Sequence, residues 1–184
     1  AGQYVGGLIG DSGANAGEIT ISDARATGEV TTTNTTTASP GEVGVGGLVG
    51  RVQNAGNVTN VSATGNITAR EGRRVGGLFG DLRHSSDADV VQNASATGDV
   101  TVNSSGGDVG GLIGYHLSGS SVTEASATGD VSTTGDNVGG LIGTGSTAVR
   151  DAYAAGTVTT DGTAVGGLIG SDNGNDVTRV YASG

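Results

Sequence analysis

The sequence predicts an all-β protein, a β-solenoid (β-helix) of six coils with about 27 to 40 residues per coil. Three observations support this fold class. A glycine-rich apolar hexapeptide occurs six times, a second short segment alternates with it, and no window shows the apolar spacing of an amphipathic helix. A unit of about 30 residues cannot bury its own apolar face, but stacked units form one continuous core.

The hexapeptide V-G-G-L-x-G begins at residues 5, 45, 75, 109, 138 and 165. Its spacing varies while its letters stay constant, so the variable lengths are assigned to loops and residues 1–184 to a single solenoid domain. The positions expected to carry the structure are the repeated glycines and leucines: Gly7, Leu8, Gly10, Gly47, Leu48, Gly50, Gly77, Leu78, Gly80, Gly111, Leu112, Gly114, Gly140, Leu141, Gly143, Gly167, Leu168 and Gly170.

Two adjacent apolar residues end each hexapeptide, and in one straight strand they would point to opposite faces. Either the chain bends at the glycines and both side chains face inward, or the second forms an exposed ladder that would bind a partner. We favour the bend because two glycines precede it. The residues concerned are Ile9, Val49, Phe79, Ile113, Ile142 and Ile169.

The second segment, typified by NASATGDV, alternates small and polar residues with the period of a half-buried strand. Its predicted inward residues are Ala24, Ala26, Val61, Ala63, Ala94, Ala96, Ala125, Ala127, Ala152, Ala154, Val180 and Ala182. Its glycines are expected at a corner that needs a positive φ or a close backbone approach: Gly28, Gly65, Gly98, Gly129, Gly156 and Gly184. A propeller is the alternative architecture, although its blades usually contain more residues and recurrent aromatics.

The amino-acid composition argues against several classes of function. The chain has 38 glycines, four tyrosines, one phenylalanine, no cysteine and a formal net charge of −10, and all eight basic residues are arginine. An acidic chain without a basic patch argues against a nucleic-acid partner, and no stretch is long enough to be a membrane span. Acidic, lysine-free composition fits salty surroundings or a compositional bias of the lineage. Because it begins with Ala1, we expect a processed or excised segment.

Motifs that would indicate catalysis do not fit. A phosphate-binding GxxxxGK[ST] loop needs a lysine, and the calcium-binding nonapeptide GGxGxDxUx needs an aspartate at fixed spacing. His84 and His116 follow the hexapeptide in adjacent predicted coils and could meet on one edge. We interpret them as solvated loop histidines, because no carboxylate recurs beside them.

Two columns of polar residues are predicted along the stack, where equivalent positions lie about 4.8 Å apart. One runs Glu29, Asn66, Asp99, Asp130, Thr157, and the other Asp23, Asn60, Asn93, Glu124, Asp151, Arg179. Like charges at this spacing repel unless counterions or a divalent cation intervene. The hypothesis is weak calcium binding, with solvent screening as the alternative, at Asp99, Asp130, Glu124 and Asp151.

Six asparagines lie in N-x-[ST] sequons and are candidate glycosylation sites: Asn34, Asn57, Asn60, Asn66, Asn93 and Asn103.

The hexapeptide resembles the GLUG motif, Gly-Leu-apolar-Gly, carried by repeat regions of secreted and surface proteins of bacteria and archaea, including adhesins. The matches are Gly7-Leu8-Ile9-Gly10 and its five equivalents, and they cover essentially the whole chain. The resemblance implies a surface-exposed repeat scaffold, and it brings no catalytic residues with it.

We therefore expect an extracellular or cell-surface structural protein that is not an enzyme and needs no cofactor, calcium apart. The array starts and stops without a polar cap, which favours end-to-end self-association into a filament. The alternative is a segment of an adhesin that binds a ligand on a host or neighbouring cell. A carbohydrate-binding or polysaccharide-degrading β-helix protein is a different class, and it would need an aromatic platform, a threonine ladder or paired carboxylates.

Overall fold

The computed structural model describes residues 4–13, 17–33, 43–105, 107–117, 120–174 and 176–184. Within these ranges the chain forms 22 β-strands and no helix, and all strand pairs are parallel. Each hexapeptide opens one coil, and the six coils stack in chain order. The predicted all-β solenoid is confirmed, and a propeller is excluded because its blades are antiparallel sheets.

The first sheet consists of the strands that begin each coil. They are β1 (Tyr4–Gly6), β5 (Gly44–Gly46), β8 (Arg74–Gly76), β12 (Asp108–Gly110), β16 (Asn137–Gly139) and β20 (Ala164–Gly166). After the bend come β2 (Ile9–Asp11), β6 (Val49–Ala63), β9 (Phe79–His84), β13 (Ile113–Leu117), β17 (Ile142–Gly145) and β21 (Ile169–Asp172), which form the second wall.

The third wall contains the alanine segments. It comprises β3 (Ile19–Ala26), the second half of β6, β10 (Val90–Ala96), β14 (Ser121–Ala127), β18 (Ala148–Ala154) and β22 (Val177–Ala182). A shorter fourth wall consists of β4 (Val30–Thr32), β7 (Ile67–Ala69), β11 (Val100–Ser105), β15 (Val131–Thr134) and β19 (Val158–Thr159). The long strand β6 runs through both the second and the third wall, so these two walls belong to one sheet.

The interior is divided into two cores. Leucines, isoleucines and alanines of the second and third walls form the larger core, whose members include Leu112, Ile113 and Ala127. Valines of the first and fourth walls form the smaller core, which includes Val109 and Val131. In the four inner coils, the valine of each hexapeptide therefore packs in the smaller core, whereas its leucine and the next apolar residue pack in the larger one. The chain passes from one core to the other at the two glycines between them.

The bend in the hexapeptide places both apolar residues inside. Leu48 and Val49 are fully buried, as are Leu112 and Ile113. The carbonyl oxygen of Leu78 accepts hydrogen bonds from the amides of both Leu48 (3.0 Å) and Val49 (3.1 Å), because the chain turns between these two residues. The exposed ladder considered from the sequence is therefore absent from the described central coils.

Close contact explains why the corner needs glycine. A Cβ atom on Gly77 would lie 2.0 Å from the carbonyl oxygen of Gly111 in the next coil and 2.8 Å from the Cβ of Ala96. Real Cβ atoms do not approach backbone this closely. The glycine at the bend thus packs against the alanine of the third wall. This close contact explains why glycine recurs at one position and alanine at the other.

Candidate functional site

The most regular polar feature is an outer column on the third wall. One residue in each of its strands has a left-handed backbone with φ between 50° and 55°: Asp23, Asn60, Asn93, Glu124, Asp151 and Arg179. The left-handed residue inserts one extra position, so the inward residues on either side, such as Val58 and Val61, are three apart instead of two. The sequence predicts this column of polar residues but not its backbone conformation. Its preference for Asn and Asp, which tolerate this conformation, was the available signal.

Side chains of this column bond along the stack. Asn60 donates through Nδ2 to Asp23 Oδ1 at 3.0 Å, and Asn93 donates to Asn60 Oδ1 at 2.9 Å. Arg179 makes a two-point ion pair with Asp151, with both distances 2.6 Å. Hydrogen bonding to Arg179 lowers the pKa of Asp151. Part of the predicted repulsion is therefore compensated within the column.

The second polar column accepts backbone hydrogen bonds from the next coil. Asn66 Oδ1 accepts the amide of Asp99 at 2.9 Å, and Asp99 Oδ1 accepts the amide of Asp130 at 2.9 Å. Asp130 Oδ1 in turn accepts the amide of Thr157 at 2.8 Å. Each side chain thus caps a backbone donor at a corner, a structural role that the sequence pattern did not reveal.

The candidate calcium ligands lie on these two separate columns. Asp99 and Asp130 are neighbours on one, and Glu124 and Asp151 are neighbours on the other. In the described part of the chain, no three or more His, Cys, Asp or Glu residues form a group that could hold a metal ion. Calcium binding at these positions stays a prediction.

The sequons have different environments. Asn57 and Asn66 accept backbone amides through Oδ1, whereas Asn60 and Asn93 use Nδ2, the atom that a glycan would occupy, in the ladder. Asn103 is exposed on β11. Asn34 lies outside the described residues.

A buried aspartate connects the first and second walls. Asp81 is fully buried, and it accepts hydrogen bonds from Arg74 Nη1 at 2.6 Å and from Arg83 Nε and Nη2 at 3.0 Å each. Hydrogen bonding to Asp81 raises the pKa of Arg83. One coil earlier, Arg51 pairs with Asp11 at 2.7 Å and lowers the pKa of that carboxyl group. These pairs neutralise arginines that the sequence left without a role.

The two histidines are buried, so their interpretation as solvated loop residues was wrong. His84 at the end of β9 is 8% exposed and His116 in β13 is 1% exposed. Their ring centroids are 5.1 Å apart at an interplanar angle of 78°. Stacking of adjacent coils brings them together between the ends of the second-wall strands and the start of the third wall. The available sequence signal was that both histidines follow their hexapeptides shortly, in adjacent coils.

By its architecture this molecule belongs to the all-parallel β-solenoids, built from one repeated coil. Comparison with known sequences identifies the repeat. The sequence model described as "The GLUG motif" matches residues 41–68 and 105–132. Each match spans a hexapeptide, the bend and the alanine strand that follows. The chain is therefore a GLUG-motif repeat protein, as the six hexapeptides predicted.

Two curated relatives are similar over part of their length. Halomucin of Haloquadratum walsbyi is 53% identical over 139 residues, which is 73% of this chain and 1% of halomucin. A protein of Evansella cellulosilytica that is described as a Gly-rich membrane protein is 48% identical over 64 residues, which is 34% of this chain and 7% of that protein. This chain thus corresponds to a small part of either relative. No solved structure gives a significant match.

Proposed function

We propose that the chain is a structural, non-enzymatic segment of an extracellular or cell-surface protein, in which stacked coils form a rigid rod. The observation that supports this most is the repetition of one coil, in which nearly every interior residue packs on its own equivalent. Similarity to halomucin supports a surface location. Within the described residues no helix is long and apolar enough to span a membrane.

End-to-end association would use the faces of the first and sixth coils. Val165 is 48% exposed in the last coil, whereas the equivalent Val138 is fully buried beneath it. At the other end Leu8 is 56% exposed, whereas Leu48 is fully buried. A further coil would cover either face, whether it came from a longer polypeptide or from a second copy of this chain. In the filament that we propose, a second copy supplies this coil, and the chain of copies grows because such a contact does not close.

Electron microscopy with two variants tests the filament. We expect negative stain to show rods that lengthen with protein concentration, and Val165→Glu to shorten them to single molecules. Thr178→Glu is the matched control, because Thr178 lies in the same coil but on the outer face of the third wall, so its rods should stay long. Single molecules at every concentration would contradict self-association and favour an adhesin segment.

Antibody labelling of intact cells tests the surface location separately.

Calcium is the candidate ion for the outer columns. If it bridges Asp99 and Asp130, calcium should raise the melting temperature more than sodium chloride of equal ionic strength. Asp99→Asn should remove the difference, whereas Asp172→Asn should retain it. Equal effects of the two salts would show that screening alone stabilises the column.

A carbohydrate-binding role is the second candidate, supported by an aromatic pair. Tyr153 and Tyr181 are neighbours in register on the outer face of the third wall, and they are 44% and 63% exposed. Stacked tyrosines offer a flat apolar surface to a sugar ring. Slower migration through polysaccharide-containing gels, abolished by Tyr153→Ala and unchanged by Thr123→Ala, would support this role.

A further inference from the structure

The buried contact between His84 and His116 joins the third and fourth coils. We propose that this contact is an acid-labile lock: it holds while both rings are neutral, and these two coils separate first when the medium is acidified.

Three of the four ring nitrogens have no hydrogen-bond partner among the described residues. His116 Nε2 lies 3.3 Å from Ser120 Oγ, but His116 Nδ1 and both ring nitrogens of His84 have no hydrogen-bond partner among the described residues. A buried donor or acceptor without a partner is costly, and a buried charge without a partner costs more. Neutral rings can be tolerated here by packing, whereas protonated rings would repel each other at a centroid distance of 5.1 Å.

The groups that face His84, apart from His116, come from strand β6 and from the segment just before β10. Asp89, just before β10, is 8% exposed and attracts a proton to this ring. The carbonyls of Ala55 and Gly56 on β6 act in the same direction, although neither makes a well-formed hydrogen bond to the ring. Beyond them Ser85 Oγ lies 3.1 Å from Glu18 Oε2 and 3.2 Å from Asp89 Oδ2. His84 is thus the ring that can take up a proton more readily.

His116 is in a more apolar place. In register it lies beside Leu82 of the third coil and Gly145 of the fifth. Thr147, near Gly145, is also buried, but its hydroxyl donates to the carbonyl of Ser120. The ionisable group that acts on His116 is His84, which carries the same charge when protonated. A proton on His84 therefore makes a second proton on His116 still less favourable.

The direction of the pH effect follows from these contacts. Burial lowers the pKa of both rings from the usual 6.5, and that of His116 to about 3. The unfolded chain then binds more protons than the folded chain between pH 6.5 and about 3, so the stability from this pair is full above pH 6.5 and declines as the pH falls through that window. Carboxylates with ordinary pKa values titrate mainly below pH 5.

Melting curves at constant ionic strength test the lock. These are the two histidines of the chain, so a change between pH 7 and pH 5 is readily assigned. We expect the melting temperature to fall by about 4–8 °C over this range. The variant His116→Leu copies the residue in register with it in the third coil, and His84→Ala copies its counterpart Ala55. Both variants together should abolish the fall.

Two measurements on the unchanged protein keep the test independent of folding of the variants. Nuclear magnetic resonance of the imidazole carbons should show His116 untitrated at pH 5. Amide exchange protection at Leu78 and Phe79, which bond to the fourth coil, should fall before protection at Leu48 and Val49, which bond to the third. Titration of His116 near pH 6.5 in the folded protein, or a uniform loss of protection along the stack, would overturn the proposal.

Discussion

Two columns of equivalent residues, one on the third wall and one at the corner that follows it, lie five residues apart in each repeat and contain different residue types. The left-handed column holds Asp, Asn, Asn, Glu, Asp and Arg in successive coils, with no glycine. The corner column that follows holds glycine in every coil, yet none of its members has a left-handed φ. At these two columns the usual association of glycine with positive φ is therefore reversed, whereas Gly13, Gly107 and Gly174 elsewhere in the described residues do have a positive φ.

The reason lies in what surrounds the Cβ position. A Cβ on Gly98 would lie 2.1 Å from the carbonyl oxygen of Gly65 in the preceding coil. Asn93, in contrast, directs its side chain to the outside, where it bonds to Asn60. The short distance between coils therefore requires glycine at the corner. The left-handed conformation costs only about 1–2 kcal/mol, and other residues tolerate it where the side chain has room outside the coil. Close approach is thus the stricter requirement.

The largest expected effect is at the corner. Gly98→Ala should destabilise the protein by more than about 4 kcal/mol, because the methyl group meets backbone that cannot move without separating the coils. Gly28→Ala is the matched control, since nothing lies within 4 Å of its Cβ position in the first coil. Denaturant unfolding measures both variants. Equal effects would show that backbone conformation rather than contact selects glycine.

The facing alanine should give an intermediate effect. Ala96 is buried against Gly77, so Ala96→Val should cost about 1–3 kcal/mol by overpacking. The neighbouring Ser95 points outward, and Ser95→Val should leave stability nearly unchanged. Thermal melts compare the two variants. A neutral Ala96→Val would mean that the walls can move apart, which would weaken the account of the paired columns.

The smallest effects are expected in the left-handed column. Asn93→Ala should cost about 1 kcal/mol, because alanine tolerates this φ less well and makes no ladder bond. Glu124→Asn should stabilise by about 0.5 kcal/mol, because asparagine suits the conformation and continues the amide ladder. Unfolding midpoints measure both. Two destabilising results of the same size as Gly98→Ala would remove the distinction between the columns.

Much of this fold could be predicted from the repeated patterns in the amino-acid sequence. Repetition of the hexapeptide predicted stacked coils, the alternation of alanines predicted one buried wall, and two glycines before Leu48 favoured the bend that buries both Leu48 and Val49. These inferences succeeded because the coil is a local unit copied along the chain. What touches a given residue is then mostly its own equivalent in the next coil.

The columns and the histidines show where sequence patterns become insufficient. Sequence periodicity could place Asp99 above Asn66, but it could not show that the Asn66 side chain caps the Asp99 amide. It also placed His84 and His116 in solvated loops, because no recurring partner marked them. Such contacts depend on loops of unequal length, which repetition does not constrain.

The sequence by itself determined the repeated coil, its small-residue interior and its acidic surface, because each of these is a property of residue type and local spacing. Only the tertiary structure decided which atoms meet between coils. It divided the interior into two cores, made backbone contact the reason for the glycines, and buried two histidines against each other. Those outcomes depend on distances between chain segments about 30 residues apart, and these distances exist only once the coils have stacked.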